Sequence, residues 1–215
     1  MSTSPASTSY AQGIVNISVV NGGAIDFTIR IGAPQLEQKA FATSYIPTAS
    51  AAVTRLSDAL TLSDLSRIGF STTAGSVVLR ARVVRSALSP QQYAFGTGAA
   101  ASNEMGVYWD VGARKQVAEA LSGGVVQMSM AAGNVLGFDV PFQSALAWAA
   151  NDAALVVDGG TPVTDVALTL PVGLDRMSIG GGQARGASTR GVQIIRRVDY
   201  YPRRLPDAEL QSLTA

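Results

Sequence analysis

The chain has 215 residues, of which 47 % are hydrophobic and 14 % charged, with 16 basic against 15 acidic side chains. This is enough apolar surface for a real core in one domain, or one domain plus a small appendage, and a net charge of +1 gives no field to recruit nucleic acid or an anionic membrane. With no Cys and no His, disulfide frameworks, thiol nucleophiles, zinc knuckles, iron–sulfur clusters, Ser-His-Asp triads and most transition-metal sites are excluded.

The opening MSTSPASTSYAQG is polar and small, so neither the basic region nor the apolar stretch of a secretory signal peptide is expected there. Ile25 to Ile31 alternates apolar with polar residues and predicts a half-buried strand. A boundary falls near residues 44–54, where Pro47 precedes a run of small residues. Two strands alone do not hold together in water, so the segment before this boundary is expected to act as an arm that packs on the main module, pairs with another protomer or docks to a partner.

Val77, Leu79, Ala81 and Val83 form one face of the next strand, and Arg80 and Arg82 the other. Tyr93, Phe95, Gly96 and Gly98 read as an aromatic–glycine loop, either a ligand rim or a connection. Trp109 stands beside Tyr108 and Asp110, with Gly112, Arg114 and Lys115 following. Such an aromatic is either a loop ring that stacks on a sugar while its neighbours bind hydroxyls, or a half-buried strand residue. The uncharged run between Glu119 and Asp139 is glycine-rich and alternates like strands, which argues against a membrane-spanning helix. Within it, Val126, Met128 and Met130 oppose Gln127 and Ser129.

Trp148 reads as a core aromatic. Ala153 to Val157 runs into the turn Asp158-Gly159-Gly160, and Val166, Leu168 and Leu170 alternate up to Pro171. Met177 and Ile179 precede the glycine-rich stretch from Gly180 to Gly191. A strand follows that stretch where a phosphate loop needs a helix, so it reads as a turn whose Arg185 and Arg190 reach an anionic sugar. Val192 to Tyr201 is a last long strand, and Leu205 to Leu213 the one helix, with Asp207 and Glu209 where the helix dipole favours acids. Arg196, Arg197, Arg203 and Arg204 lack the interleaved aromatics of a nucleic-acid groove and are expected to pair with Asp199, Asp207 and Glu209. The fold class that follows is all-β, an antiparallel β-sandwich or jelly roll with one short C-terminal helix and an N-terminal strand-rich arm.

Two stretches add a resemblance. Ile31 to Glu37 (IGAPQLE), Phe41 to Thr48 (FATSYIPT) and Ala52 to Arg55 (AVTR) resemble a junction of tailed-phage fibre and appendage proteins. There, a pattern of the type WGAQLEEG, ATSYIPT, AVTRAAD closes a jelly roll like that of carbohydrate-binding modules. Ala149 to Ala153, Val157 to Gly160, Ile179-Gly180 and Ile195 to Leu210 resemble the concanavalin A-like (laminin G-like) sandwich found in the same proteins. The sequence departs from these patterns at Pro34, at the missing Trp, in an upstream jelly roll reduced to its last strands, and at Pro206 in place of a capping Ser.

The resemblance implies an N-terminal arm over residues 1–48 for attachment or assembly and a concanavalin A-like, lectin-type sandwich over residues 49–215. It further implies a virion surface fibre or spike subunit, made in the bacterial host's cytoplasm, homotrimeric, bound to other virion proteins through its arm and to host surface polysaccharide through its sandwich. The alternative is a structural decoration or connector subunit. The candidate ligand-binding residues are Tyr93, Tyr108, Trp109, Arg114, Arg185 and Arg190. Hydrolytic sandwiches of this class carry Glu-x-Asp-x-x-Glu on one strand. Here Glu37, Glu104, Glu119 and Glu209 are scattered, and Asp152 and Asp158 read as structural, so no catalytic residue, metal or cofactor is expected.

Overall fold

A computed structural model describes residues 60–84, 91–100, 102–181 and 193–215, with residues 21, 22, 24, 26, 28–30 and 47. The chain divides into two compact units, Met1–Arg55 and Leu56–Ala215. In the first, Asp26, Thr28, Ile29 and Arg30 are exposed and lie outside any strand, so these positions of the predicted strand are not strand. Alternation makes a chain two-faced but does not supply the partner that a strand requires.

The second unit is built from β1 (Leu60–Leu62), a 3-10 turn (Leu65–Ile68), β2 (Ala74–Val83), β3 (Gln91–Ala100), β4 (Asn103–Asp110), β5 (Lys115–Ser122), β6 (Val125–Ala131), β7 (Pro141–Ala149), β8 (Asp152–Val157), β9 (Val163–Asp165), β10 (Met177–Ile179), β11 (Gln193–Tyr201) and α1 (Asp207–Thr214). They form a six-stranded sheet in the order β1-β10-β3-β4-β5-β6 and a five-stranded sheet in the order β11-β2-β7-β8-β9. Every pairing is antiparallel, and the two sheets enclose one core: the unit is a β-sandwich.

Period-2 patterning decides which sheet face each residue occupies. In β2, Val77, Leu79, Ala81 and Val83 enter the core together with Met105, Val107, Trp109, Met128, Met130, Phe142, Leu146 and Trp148 from facing strands. Trp148 lies within 6.4 Å of the Phe70 ring and 6.3 Å of the Tyr200 ring, and Tyr200 stacks on Phe70 at 5.4 Å. The outward residues of the five-stranded sheet are closed by the end of the chain. Val78, Ala145, Ala147, Ala154 and Val156 pack against Leu205 and Leu210, with Tyr201 and Leu213 at the margin. Three alanines on this face let the helix come close, which accounts for the alanine-rich runs in β7 and β8. The helix begins one residue after Pro206, whose carbonyl oxygen accepts from the Leu210 N–H at 3.0 Å, and carries Asp207 and Glu209 in its first turn, as expected.

Three other expectations change. Tyr93 to Gly98 is not a loop but part of β3; Gly98 takes a φ of 99° at a break in the β3–β4 register, so this glycine bends a strand rather than ending it. Of the two readings of Trp109, the strand one holds: it belongs to β4. Val126 is exposed rather than buried with Met128 and Met130, because a bulge between Ala120 and Leu121 shifts its register and pairs it with Leu121. Val166 to Leu170 forms no strand: the Asp165 carboxylate accepts from the Ala167 N–H at 2.8 Å and turns the chain. Leu168 is nevertheless buried in the core.

The Tyr200 phenol links the core aromatics to the chain before β2, its oxygen accepting from the Ser71 N–H at 2.8 Å. Burial raises its pKa above the ordinary value, and the Ser71 hydrogen bond pulls the other way with smaller effect. A phenol whose pKa is raised in the fold stabilises it below the unfolded value, and this contribution is lost as pH climbs through the folded value. The unfolding midpoint in urea is therefore expected to fall from about pH 10 upward, and Tyr200→Phe to flatten that fall. An equally steep decline in the variant would assign it to other groups.

Candidate functional site

The two outer faces of the sandwich differ. On the five-stranded sheet, the helix and Leu205 cover the outward side chains of β2, β7 and β8. On the six-stranded sheet, the register aligns a row across all six strands: Thr61, Ser178, Gly96, Gly106, Glu119 and Ser129, each paired with the next. Its ends are hydroxyl or carboxylate side chains. Its centre is two glycines directly opposite one another, where the sheet floor carries no side chain at all.

Rows on either side complete the face. Tyr93 pairs with Tyr108, Tyr108 with Val117, and Val117 with Ala131; Tyr108 and Val117 form a small apolar cluster apart from the main core. On the other side Glu104 pairs with Leu121, which makes Glu104 and Glu119 diagonal neighbours on one face. Diagonal positions in such a ladder lie about 7–8 Å apart, so these two carboxylates are not isolated, contrary to the reading from sequence spacing. Glu104 and Ser178 are each only 4 % exposed, and the Ser178 Oγ has no hydrogen-bond partner. Chemically, the face combines carboxylate and hydroxyl groups with a tyrosine around a bare floor.

The candidate residues scatter over this framework. Trp109 is 0 % exposed, with its ring 6.2 Å from Phe138 and 6.3 Å from Phe142 inside the sandwich, so it is a core residue and presents no surface to a sugar. Tyr108, its neighbour in β4, points to the opposite face and is 5 % exposed. Arg114 sits in the turn between β4 and β5 at a φ of 56°. Its guanidinium lies 5.5 Å from the Phe138 ring centre and donates to the Leu136 carbonyl oxygen at 3.3 Å, so it fastens the loop after β6 rather than joining the glycine-floored face. Tyr93 has its backbone in β3 opposite Tyr108, and its side chain is outside the described residues. Arg185 and Arg190 also lie outside them, as does most of the glycine-rich stretch.

Several other charged groups are held in ion pairs or turns. Arg204 reaches Asp207 at 2.6 Å and Asp152 at 2.8 Å; Arg197 pairs with Asp199 at 2.7 Å and Arg203 with Glu209 at 3.4 Å. Asp158, at the end of β8, accepts from the Gln143 N–H at 2.8 Å. Trp148 is the core aromatic expected of it. Among the described residues no group of three or more acidic side chains is placed to hold a metal ion, and no helix is long and apolar enough to cross a membrane.

Sequence reasoning did not bring Gly106, Glu104, Glu119 and Ser178 into the candidate site. The signal for those on β4 was present: Glu104-Met105-Gly106-Val107-Tyr108-Trp109 alternates, and placing Trp109 inward sends Glu104, Gly106 and Tyr108 outward together. Which residues of β5, β3 and β10 join them depends on strand order, which alternation does not encode.

No protein-family model and no curated protein matches the chain. Among solved structures, it is similar to the CBM40 domain of the Ruminococcus gnavus IT-sialidase. The form bound to α2,3-sialyllactose matches with a TM-score of 0.56 at 18 % identity, covering 67 % of this chain and 84 % of that one. The form bound to α2,6-sialyllactose matches with a TM-score of 0.56 at 17 % identity, covering 74 % and 97 %. A leech intramolecular trans-sialidase matches with a TM-score of 0.55 at 21 % identity over 67 % of this chain, which spans 23 % of that enzyme. At these identities the likeness is one of fold.

Proposed function

We propose that the chain is a non-catalytic glycan-binding subunit on the surface of a phage-type particle, attaching it to host surface polysaccharide through the outer face of the six-stranded sheet. The observation that carries this is the row Thr61–Ser178–Gly96–Gly106–Glu119–Ser129, a side-chain-free floor between hydroxyl and carboxylate groups on the face turned away from the helix; Gly96, Gly106 and Ser178 at its centre are buried, while Thr61, Glu119 and Ser129 at its ends reach solvent. The groups at the accessible ends of the row are of the kind that exchange hydrogen bonds with sugar hydroxyls. The likeness to carbohydrate-binding modules supports the same use of the fold, and the resemblance of the junction at residues 31–55 to phage fibre proteins supports the particle. In this reading the subunit is a homotrimer held to other virion proteins by its N-terminal arm. Weak single sites then add up by multivalency on the particle.

The test is binding of the purified full chain to intact host cells and to cells stripped of surface polysaccharide. Binding that disappears on stripping is expected. Ser178→Ala and Glu119→Gln should each weaken it about tenfold, the loss of one hydrogen bond, with the melting temperature retained. The diagonal Glu104 and Glu119 make one further readout necessary: polysaccharide chain length should remain unchanged after incubation, and shortening would make the subunit a hydrolase. A folded oligomer that binds neither cell type overturns the proposal and leaves a structural decoration subunit.

A further inference from the structure

Of the four sheet edges among the described residues, three are blunted. β1 and β9 have three residues each. β11 is long, but it carries Arg196, Arg197 and Asp199 and breaks register between Ile195 and Arg197. Short strands, charges and bulges are the devices that keep an edge from pairing with another chain. β6, at the end of the six-stranded sheet, differs: Val125-Val126-Gln127-Met128-Ser129-Met130-Ala131 holds no charge and no proline, and Val125 and Val126 are 61 % and 54 % exposed.

The hydrogen-bond parity of this edge follows from one bond. The Ala132 N–H donates to the Gln116 carbonyl oxygen at 2.9 Å, and the register continues as Ala118↔Met130 and Ala120↔Met128. Residues 128, 130 and 132 therefore direct their backbone groups to β5, while Ser129 and Ala131 direct theirs away from the sheet. Past the bulge, this stretch is regular.

We propose that β6 pairs antiparallel with β6 of a second copy of this chain about a two-fold axis close to Ser129, joining two six-stranded sheets into one. The occupant is a second copy because the strand is self-compatible. An antiparallel two-fold sets Ser129 against or beside Ser129 of the other copy, no charge meets its like anywhere along the strand, and the net charge of +1 sets up little repulsion between copies. The pairing is separate from the three-fold assembly expected of a fibre subunit and does not rest on the glycan reading.

The absence of cysteine makes the test direct. In the full chain, Ser129→Cys places two thiols within about 8 Å of each other whichever residue from 128 to 130 lies on the axis. A short bismaleimide should then link two chains at micromolar protein. Val172→Cys, on an exposed loop, serves as the control. By sedimentation equilibrium, Ser129→Lys should halve the mass of the assembly, whether the parent is a dimer or a pair of larger rings. Cross-linking at position 129 no greater than at 172, or a mass unchanged by Ser129→Lys, overturns the proposal.

Discussion

Replacing Trp148 with alanine is expected to lower the unfolding free energy by about 3–5 kcal/mol, the range for emptying a large aromatic site in a packed core. In a chain of this size that moves the melting temperature by roughly 6–20 °C. The ring is held from three directions: Phe70 and Tyr200 lie against it, and Gly75 faces it across the β2–β7 pair. A Cβ on Gly75 would fall inside the indole. Gly75→Ala is therefore destabilising by overpacking, at about 1–3 kcal/mol or more. Because both changes act on one contact, they should couple: Gly75→Ala in a Trp148→Phe background is expected to cost less than in the parent. Urea unfolding of the four proteins in that cycle measures this. Strictly additive losses would mean that the indole does not rest on the glycine.

The second large effect is expected at Ser76. Its Oγ donates to the Arg203 carbonyl oxygen at 2.9 Å and accepts from the Leu205 N–H at 2.9 Å, tying β2 to the turn that leads into α1. Ser76 is fully buried, and Leu205 belongs to the apolar cluster under the helix. Ser76→Ala removes both bonds and leaves two backbone groups without partners, at about 1–3 kcal/mol for each one orphaned away from water. Ser76→Thr keeps the hydroxyl and should recover part of the loss. If Ser76→Ala unfolds at the parent's midpoint, water has replaced the side chain and the bridge carries no stability.

The two sheets were unequally legible in the sequence. Much of the five-stranded sheet could be read because β2, which lies next to its edge strand, alternates without interruption: Val77 to Val83 faces the core at every second position, and Trp148 and the terminal helix stand where they were expected. The six-stranded sheet resisted for a physical reason. Its strands are interrupted by the features that shape its outer face: glycines at 96, 98 and 106, and bulges in β3 and β6 that shift the alternation by one residue. Gly96 and Gly98 looked like loop punctuation, and Asp110 and Gly112 close behind Trp109 left a loop reading open beside the strand one. Of the candidate site, the outward direction of Tyr108 was within reach of the sequence. The meeting of Gly96 with Gly106, and of Glu119 with Ser129, is a matter of which strands are neighbours, and a single sequence does not carry that.

The closure of the five-stranded sheet by the end of the chain has a consequence for biosynthesis. β2 finds its partner β11 more than a hundred residues later, and the apolar outer face of β2, β7 and β8 is covered only by Leu205 and α1. While the ribosome is still adding residues 158 to 192, the nascent chain exposes that face and an unpaired β2 edge together. Loop closure over such a separation is slow, and synthesis at about 5–20 residues per second holds that exposure open for seconds. The sandwich is thus complete only after its last helix has left the exit tunnel, and until then a chaperone has a sticky, half-built sheet to hold.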